Sequence, residues 1–101
     1  MTVVSNTSPI TNLAAIDQLH LLREIYDTIL IPQAVYNELT VLDQPVPGTA
    51  EVQIFGWINV RQVSDRIQVA NLRQVVDAGE SEAITLALEL SAKRLLIDEG
   101  R

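Results

Sequence analysis

A chain of 101 residues, 48% of them hydrophobic, is long enough for one compact core and too short for two, so residues 1–101 read as a single domain. With no cysteine and one histidine, His20, a disulfide scaffold and a thiolate metal site are excluded, and any bound metal must be a hard, oxygen-loving one. The formal net charge of -6 argues against a broad basic surface that grips nucleic acid through phosphates alone.

Val3 and Val4 form a short apolar run that stops at Ser5-Asn6-Thr7-Ser8-Pro9. Hydroxyl residues just ahead of a proline predict a buried strand that turns directly into a helix, with Thr7 or Ser8 as N-cap and Pro9 in the first turn. Ile10, Leu13, Ala14 and Ile16 fit a short helix, and Asp17 is placed to cap a second one that carries Leu19, Leu22, Arg23 and Tyr26. Thr28 to Ile31 is β-rich and bounded by Asp27 and Pro32, which predicts a second strand followed by a helix over 33–40. Asp43-Gln44-Pro45-Val46-Pro47-Gly48 is a breaker.

Beyond it, Thr49 is placed to cap a helix with Val52 and Phe55, and Ile58-Asn59-Val60 reads as a third strand. An amphipathic stretch starts at Ser64 or Asp65 and runs through Val76. The best helix spans about 79–92, and Leu95-Leu96-Ile97 is a fourth strand that ends at Asp98. Apolar strands without alternation, separated by helices, predict an α/β fold with three layers, a central parallel sheet covered by helices on both faces. In such a sheet the strand C-termini and the following helix N-termini share the edge at which ligands bind.

Four oxygen-bearing residues fall at or near that edge: Asn6 after strand one, Glu38 in the helix after strand two, Glu80 at the start of the long helix, and Asp98 after strand four. Each also has a plain structural explanation. Asn6 fits an Asx or capping turn. Glu38 fits a solvated helix surface, and Asp98 fits a turn with Glu99-Gly100. Glu80 fits a capping box with Asp77. On a helical wheel, Glu80 shares a stripe with Ala83, Ile84, Ala87 and Ser91, whereas Glu82 aligns with Leu86, Glu89 and Lys93. The wheel therefore puts Glu80 on the buried side and Glu82 toward solvent. As a converging set, the four meet the needs of phosphodiester cleavage. That reaction requires charge neutralised on a phosphoryl oxygen and an activated water, and one or two Mg²⁺ or Mn²⁺ ions held by a few carboxylates supply both. Without a cation the same carboxylates repel one another.

No apolar run approaches the roughly 20 residues of a membrane-spanning helix, and Met1 leads into Thr2 and Val3 without a basic segment, so a cytoplasmic protein is expected. Arg61, Arg66, Arg73, Lys93, Arg94 and Arg101 lie in the second half and only Arg23 in the first. This distribution fits scattered solubilising charge or a one-sided basic patch that makes a local nucleic-acid contact.

Val3-Val4-Ser5-Asn6-Thr7-Ser8-Pro9-Ile10, Ile31-Pro32-Gln33-Ala34-Val35-Tyr36-Asn37-Glu38-Leu39, Gly79-Glu80-Ser81-Glu82-Ala83-Ile84 and Leu95-Leu96-Ile97-Asp98 together resemble PIN-domain proteins. The resemblance is closest to a prokaryotic subgroup related to VapC-type toxins. It implies a Mg²⁺- or Mn²⁺-dependent endoribonuclease acting on single-stranded or structured RNA, often with a cognate antitoxin that occludes the site. Carried over by position, it implies that Glu38, Glu80 and Asp98 are metal ligands, with Glu82 an alternate to Glu80. Asn6 stands where most members have an aspartate ligand, and Ser8 matches the supporting hydroxyl. The neutral Asn6 lowers the expected metal affinity. The family's domain normally continues through a further helix and edge strand, so the chain is expected to lack these and to leave strand four an uncovered edge, which pairing with a second copy or a partner would cover. A catalytically silent module acting through protein contacts is the alternative reading. A nucleotide-binding α/β fragment is weaker, because no glycine-rich loop follows strand one.

Overall fold

The computed structural model describes residues 1–41 and 44–97. Four short strands, β1 (Val3–Ser5), β2 (Ile29–Pro32), β3 (Ile58–Arg61) and β4 (Arg94–Leu96), make one sheet in the order β3-β2-β1-β4. All three pairings are parallel, and the helices between the strands supply the long crossovers that parallel pairing requires. The connections are α1 (Thr7–Ala15) and α2 (His20–Tyr26), α3 (Gln33–Thr40) and α4 (Thr49–Ile54), and α5 (Arg66–Leu72) and α6 (Ala78–Glu89). No helix among the described residues is long and apolar enough to cross a membrane.

Successive residues of a strand point to opposite faces, and β1 divides the core accordingly. Val3 joins Ile10, Leu22, Ile29, Ile31, Val35 and Leu39 on the face covered by α1 to α4. Val4 joins Val63, Val69, Ala83 and Leu86 on the face covered by α5 and α6. Both valines are fully buried, each contributing roughly 1.5–3 kcal/mol. The expected three-layer α/β architecture with a parallel sheet is therefore the one observed.

Several boundaries move for identifiable reasons. The N-cap of α1 is Asn6, not Thr7 or Ser8. The Asn6 backbone stays extended and its N–H donates to the Leu96 carbonyl at 2.9 Å, so the β1–β4 ladder runs one residue further than the apolar run. Pro9 consequently sits in the third helical position, where its missing N–H is still harmless. Asp17 does not cap α2. It closes α1 instead: with φ 58° it is left-handed, its N–H donates to Ala14 O at 3.0 Å, and Gln18 N–H donates to Leu13 O at 2.8 Å. This is a Schellman closure without glycine. Ser91, φ 51°, ends α6 the same way, with Ala92 N–H donating to Ala87 O at 2.9 Å. The long helix therefore stops at Glu89 and not at Ala92. The helix over 33–40 lies where it was expected.

Candidate active site

The strand order places a switch point between β1 and β4: from β1 the chain steps outward through β2 and β3, then returns to the other side of β1. At such a point neighbouring connections diverge and leave a crevice beyond the strand C-termini. Ser5 pairs with Leu96 at this edge, and Asn6 follows immediately. Asn6 is 9% exposed, and its side-chain amide makes no hydrogen bond among the described residues. Asp98 follows two residues after Leu96 and lies outside the described residues.

Thr7, in the first turn of α1, donates its hydroxyl to Glu38 Oε2 at 2.6 Å, the length of a charge-assisted bond. Glu38 is half-buried on α3, and its carboxylate rests against the backbone of Gly79 in the first turn of α6. A Cβ at position 79 would collide with Glu38 Oε1 and lie 3.0 Å from Cδ and 3.2 Å from Oε2. The N-terminus of a helix carries positive partial charge, so this placement suits a carboxylate. A cleft of about 490 Å³ lined by Thr7, Thr11, Glu38, Leu39, Val46 and Pro47 opens beside it.

Glu80 is half-buried one residue beyond Gly79. Its N–H donates to Asp77 Oδ1 at 2.8 Å, which is half of the expected capping box. The Glu80 carboxylate itself has no hydrogen bond or ion pair among the described residues.

The helical wheel misassigned Glu82. It is 7% exposed, not on the solvent side, and Glu80 is the more accessible of the two. The wheel considered contact with the sheet alone, whereas α6 is also covered by α3 and α5, so Gly79, Ser81, Glu82, Ala83, Thr85 and Leu86 are all buried. Glu82 Oε1 accepts the Ala34 N–H at 3.0 Å, and Oε2 receives Arg66 Nη1 at 2.9 Å. Pro32, the N-cap of α3, has no side-chain acceptor, and Glu82 fills that role from another helix. A predicted helix with proline at its cap is the signal that a tertiary acceptor was required.

Thr7 is the hydroxyl that reaches into the site. The Ser8 hydroxyl makes no hydrogen bond among the described residues, and its carbonyl accepts from Thr11 Oγ1 at 3.1 Å. No group of three or more His, Cys, Asp or Glu side chains converges among the described residues. Asn6 lies at the switch point, Glu38 is bonded to the neighbouring Thr7, and Glu80 follows the Gly79 against which Glu38 rests.

Residues 2–101 match the family model of the PIN domain. Comparison with curated proteins gave no match, and neither did comparison with solved structures. Because that family model spans nearly the entire sequence and the sheet is parallel as such a domain requires, the chain belongs to the PIN-domain family, whose members are generally nucleases that use divalent metals.

Proposed function

We propose that the chain is a metal-dependent endoribonuclease that hydrolyses RNA phosphodiester bonds at the C-terminal edge of its sheet. The observation that supports this most is the seat of Glu38. Its carboxylate is held by Thr7 in the first turn of α1 and set against Gly79, next to Glu80, at the start of α6. On this reading segments distant in sequence bring oxygen donors to one edge, with Asp98 the proposed fourth member.

The donor set fits Mg²⁺ or Mn²⁺, which take carboxylate and amide oxygens and retain several waters. Asn6 and Glu80 have side-chain oxygens uncommitted to protein partners among the described residues, and Glu38 uses only Oε2 toward Thr7. A bound divalent cation supplies neutralisation of phosphoryl charge and a water of lowered pKa. In this reading Glu38, Glu80 and Asp98 hold the ion. The Asn6 amide orients the attacking water, Thr7 fixes Glu38, and Ser8 takes the supporting position in the same turn. A VapC-like toxin role, with an antitoxin-like partner covering this edge, is part of the same proposal.

The test is Mn²⁺-dependent cleavage of single-stranded RNA by purified Glu38→Gln and Asp98→Asn, with circular dichroism to establish folding. Loss of cleavage in both is expected; unchanged cleavage in either ends the assignment. The neutral Asn6 favours a second reading, a silent module that acts through protein contacts. Calorimetry separates the two, because a silent module takes up no Mn²⁺ at millimolar concentration.

A further inference from the structure

At the opposite end of the sheet, where β2 and β3 begin, lies a larger cleft of about 660 Å³. This is within the roughly 300–1,000 Å³ of small-ligand sites. Its walls are His20 and Arg23 of α2, Asp27 and Thr28 ahead of β2, and Phe55 and Trp57 ahead of β3. None of these residues serves the edge that carries Asn6, Glu38 and Glu80.

The floor is held by backbone hydrogen bonds. Ile29 N–H donates to Trp57 O at 2.9 Å, and Asp27 N–H donates to Arg23 O at 2.8 Å. Phe55 and Trp57 stack with centroids 5.7 Å apart and planes at 21°. Phe55 remains 38% exposed, so an aromatic surface is left open to the cleft. Arg23 is the only Lys or Arg in the first half of an acidic chain. It makes no ion pair among the described residues, and His20 sits one helical turn before it.

We infer that this cleft binds a nucleotide unit, with the base stacked on the Phe55–Trp57 pair and the phosphate taken by Arg23 and His20. Stacking platforms next to a cation are how proteins hold single nucleotides without reading their sequence, and guanidinium matches phosphate geometry. Asp27 repels a phosphate from its own side of the cleft. It offers an acceptor of the kind that takes ribose hydroxyls. The inference does not depend on catalysis at the other edge.

Trp57 is the chain's single tryptophan, so its fluorescence reports on this cleft directly. The full chain, in EDTA to prevent cleavage, is titrated with adenosine 5′-monophosphate, with adenosine, and with a short single-stranded oligoribonucleotide, each corrected against free tryptophan. Saturable quenching by the monophosphate is expected, with adenosine weaker by about tenfold. Arg23→Ala abolishes that difference, while Phe55→Leu weakens both ligands alike. An oligonucleotide that binds more tightly than the monophosphate identifies an RNA strand as the source; a monophosphate that binds at least as tightly identifies a free nucleotide. Absence of saturable quenching by either phosphate ligand, or equal affinity for adenosine and its monophosphate, overturns the inference. Because Arg23 is exposed, the Ala variant keeps the fold intact. Loss of cleavage in Glu38→Gln leaves all these readings unchanged.

Discussion

The Glu38 carboxylate and the Gly79 α-carbon fit against each other so closely that position 79 has no room for a methyl group. Gly79→Ala must therefore displace the carboxylate. The carboxylate is the end of a flexible side chain and can swing aside, and alanine gains roughly 0.5–1 kcal/mol over glycine in a helix, so the denaturation midpoint should change little. Mn²⁺ binding should fall further than stability alone explains, because Glu38 is moved and not removed. A variant with wild-type Mn²⁺ affinity would show that the carboxylate's position against Gly79 does not matter to the ion.

Thr7→Val retains the side-chain shape and deletes the donor to Glu38 Oε2, whereas Thr7→Ser retains the donor. A hydrogen bond to a charged acceptor contributes about 1.5–3 kcal/mol, so Mn²⁺ affinity should drop roughly tenfold with valine and recover with serine. Calorimetry on the two variants checks this, and equal affinities would remove Thr7 from the site.

Glu82 joins three helices, and its variants should rank by what each leaves unpaired. Glu82→Ala strands the Ala34 N–H and a guanidinium and should cost about 1–3 kcal/mol. Glu82→Gln retains an acceptor for Ala34 and should cost less. Arg66 is 61% exposed, so Arg66→Ala should cost no more than about 1 kcal/mol. Urea unfolding of the three variants gives the order directly.

Ser91 ends α6 in the left-handed conformation with φ 51°, where a side chain is disfavoured and glycine is not. Relief of about 1–2 kcal/mol of left-handed strain, less roughly 0.5–1 kcal/mol for glycine's greater loss of chain entropy, makes Ser91→Gly stabilising by about 0.5–1 kcal/mol. A lower thermal midpoint in that variant would contradict the closure described.

The sequence is most informative where a local rule is sufficient. The bounds of α3 follow from Pro32 and the Val35–Leu39 spacing, and the unalternating runs in β1 and β2 identify a sheet covered on both faces. Local rules fail where a third element intervenes. Glu82 faces inward because α3 and α5 flank α6, a fact that no single-helix wheel contains. Asp17 and Ser91 take helix-ending positions that usually go to glycine, so their left-handed backbones leave no compositional mark. At the candidate site, Asn6 and Glu80 stand out from their places at a strand end and a helix start, and Glu38 from its place in the helix after strand two. Thr7 was visible only as a cap, because its partner is contributed by a different helix.

The pairing of residue 3 with 94 and of residue 5 with 96 also governs the order in which the molecule can be built. β1 is synthesised well before β4, and one flank of it stays bare until β4 emerges. Contacts that close so long a loop form late and slowly. The rim bearing Asn6 is thus completed only once β4 has docked against β1.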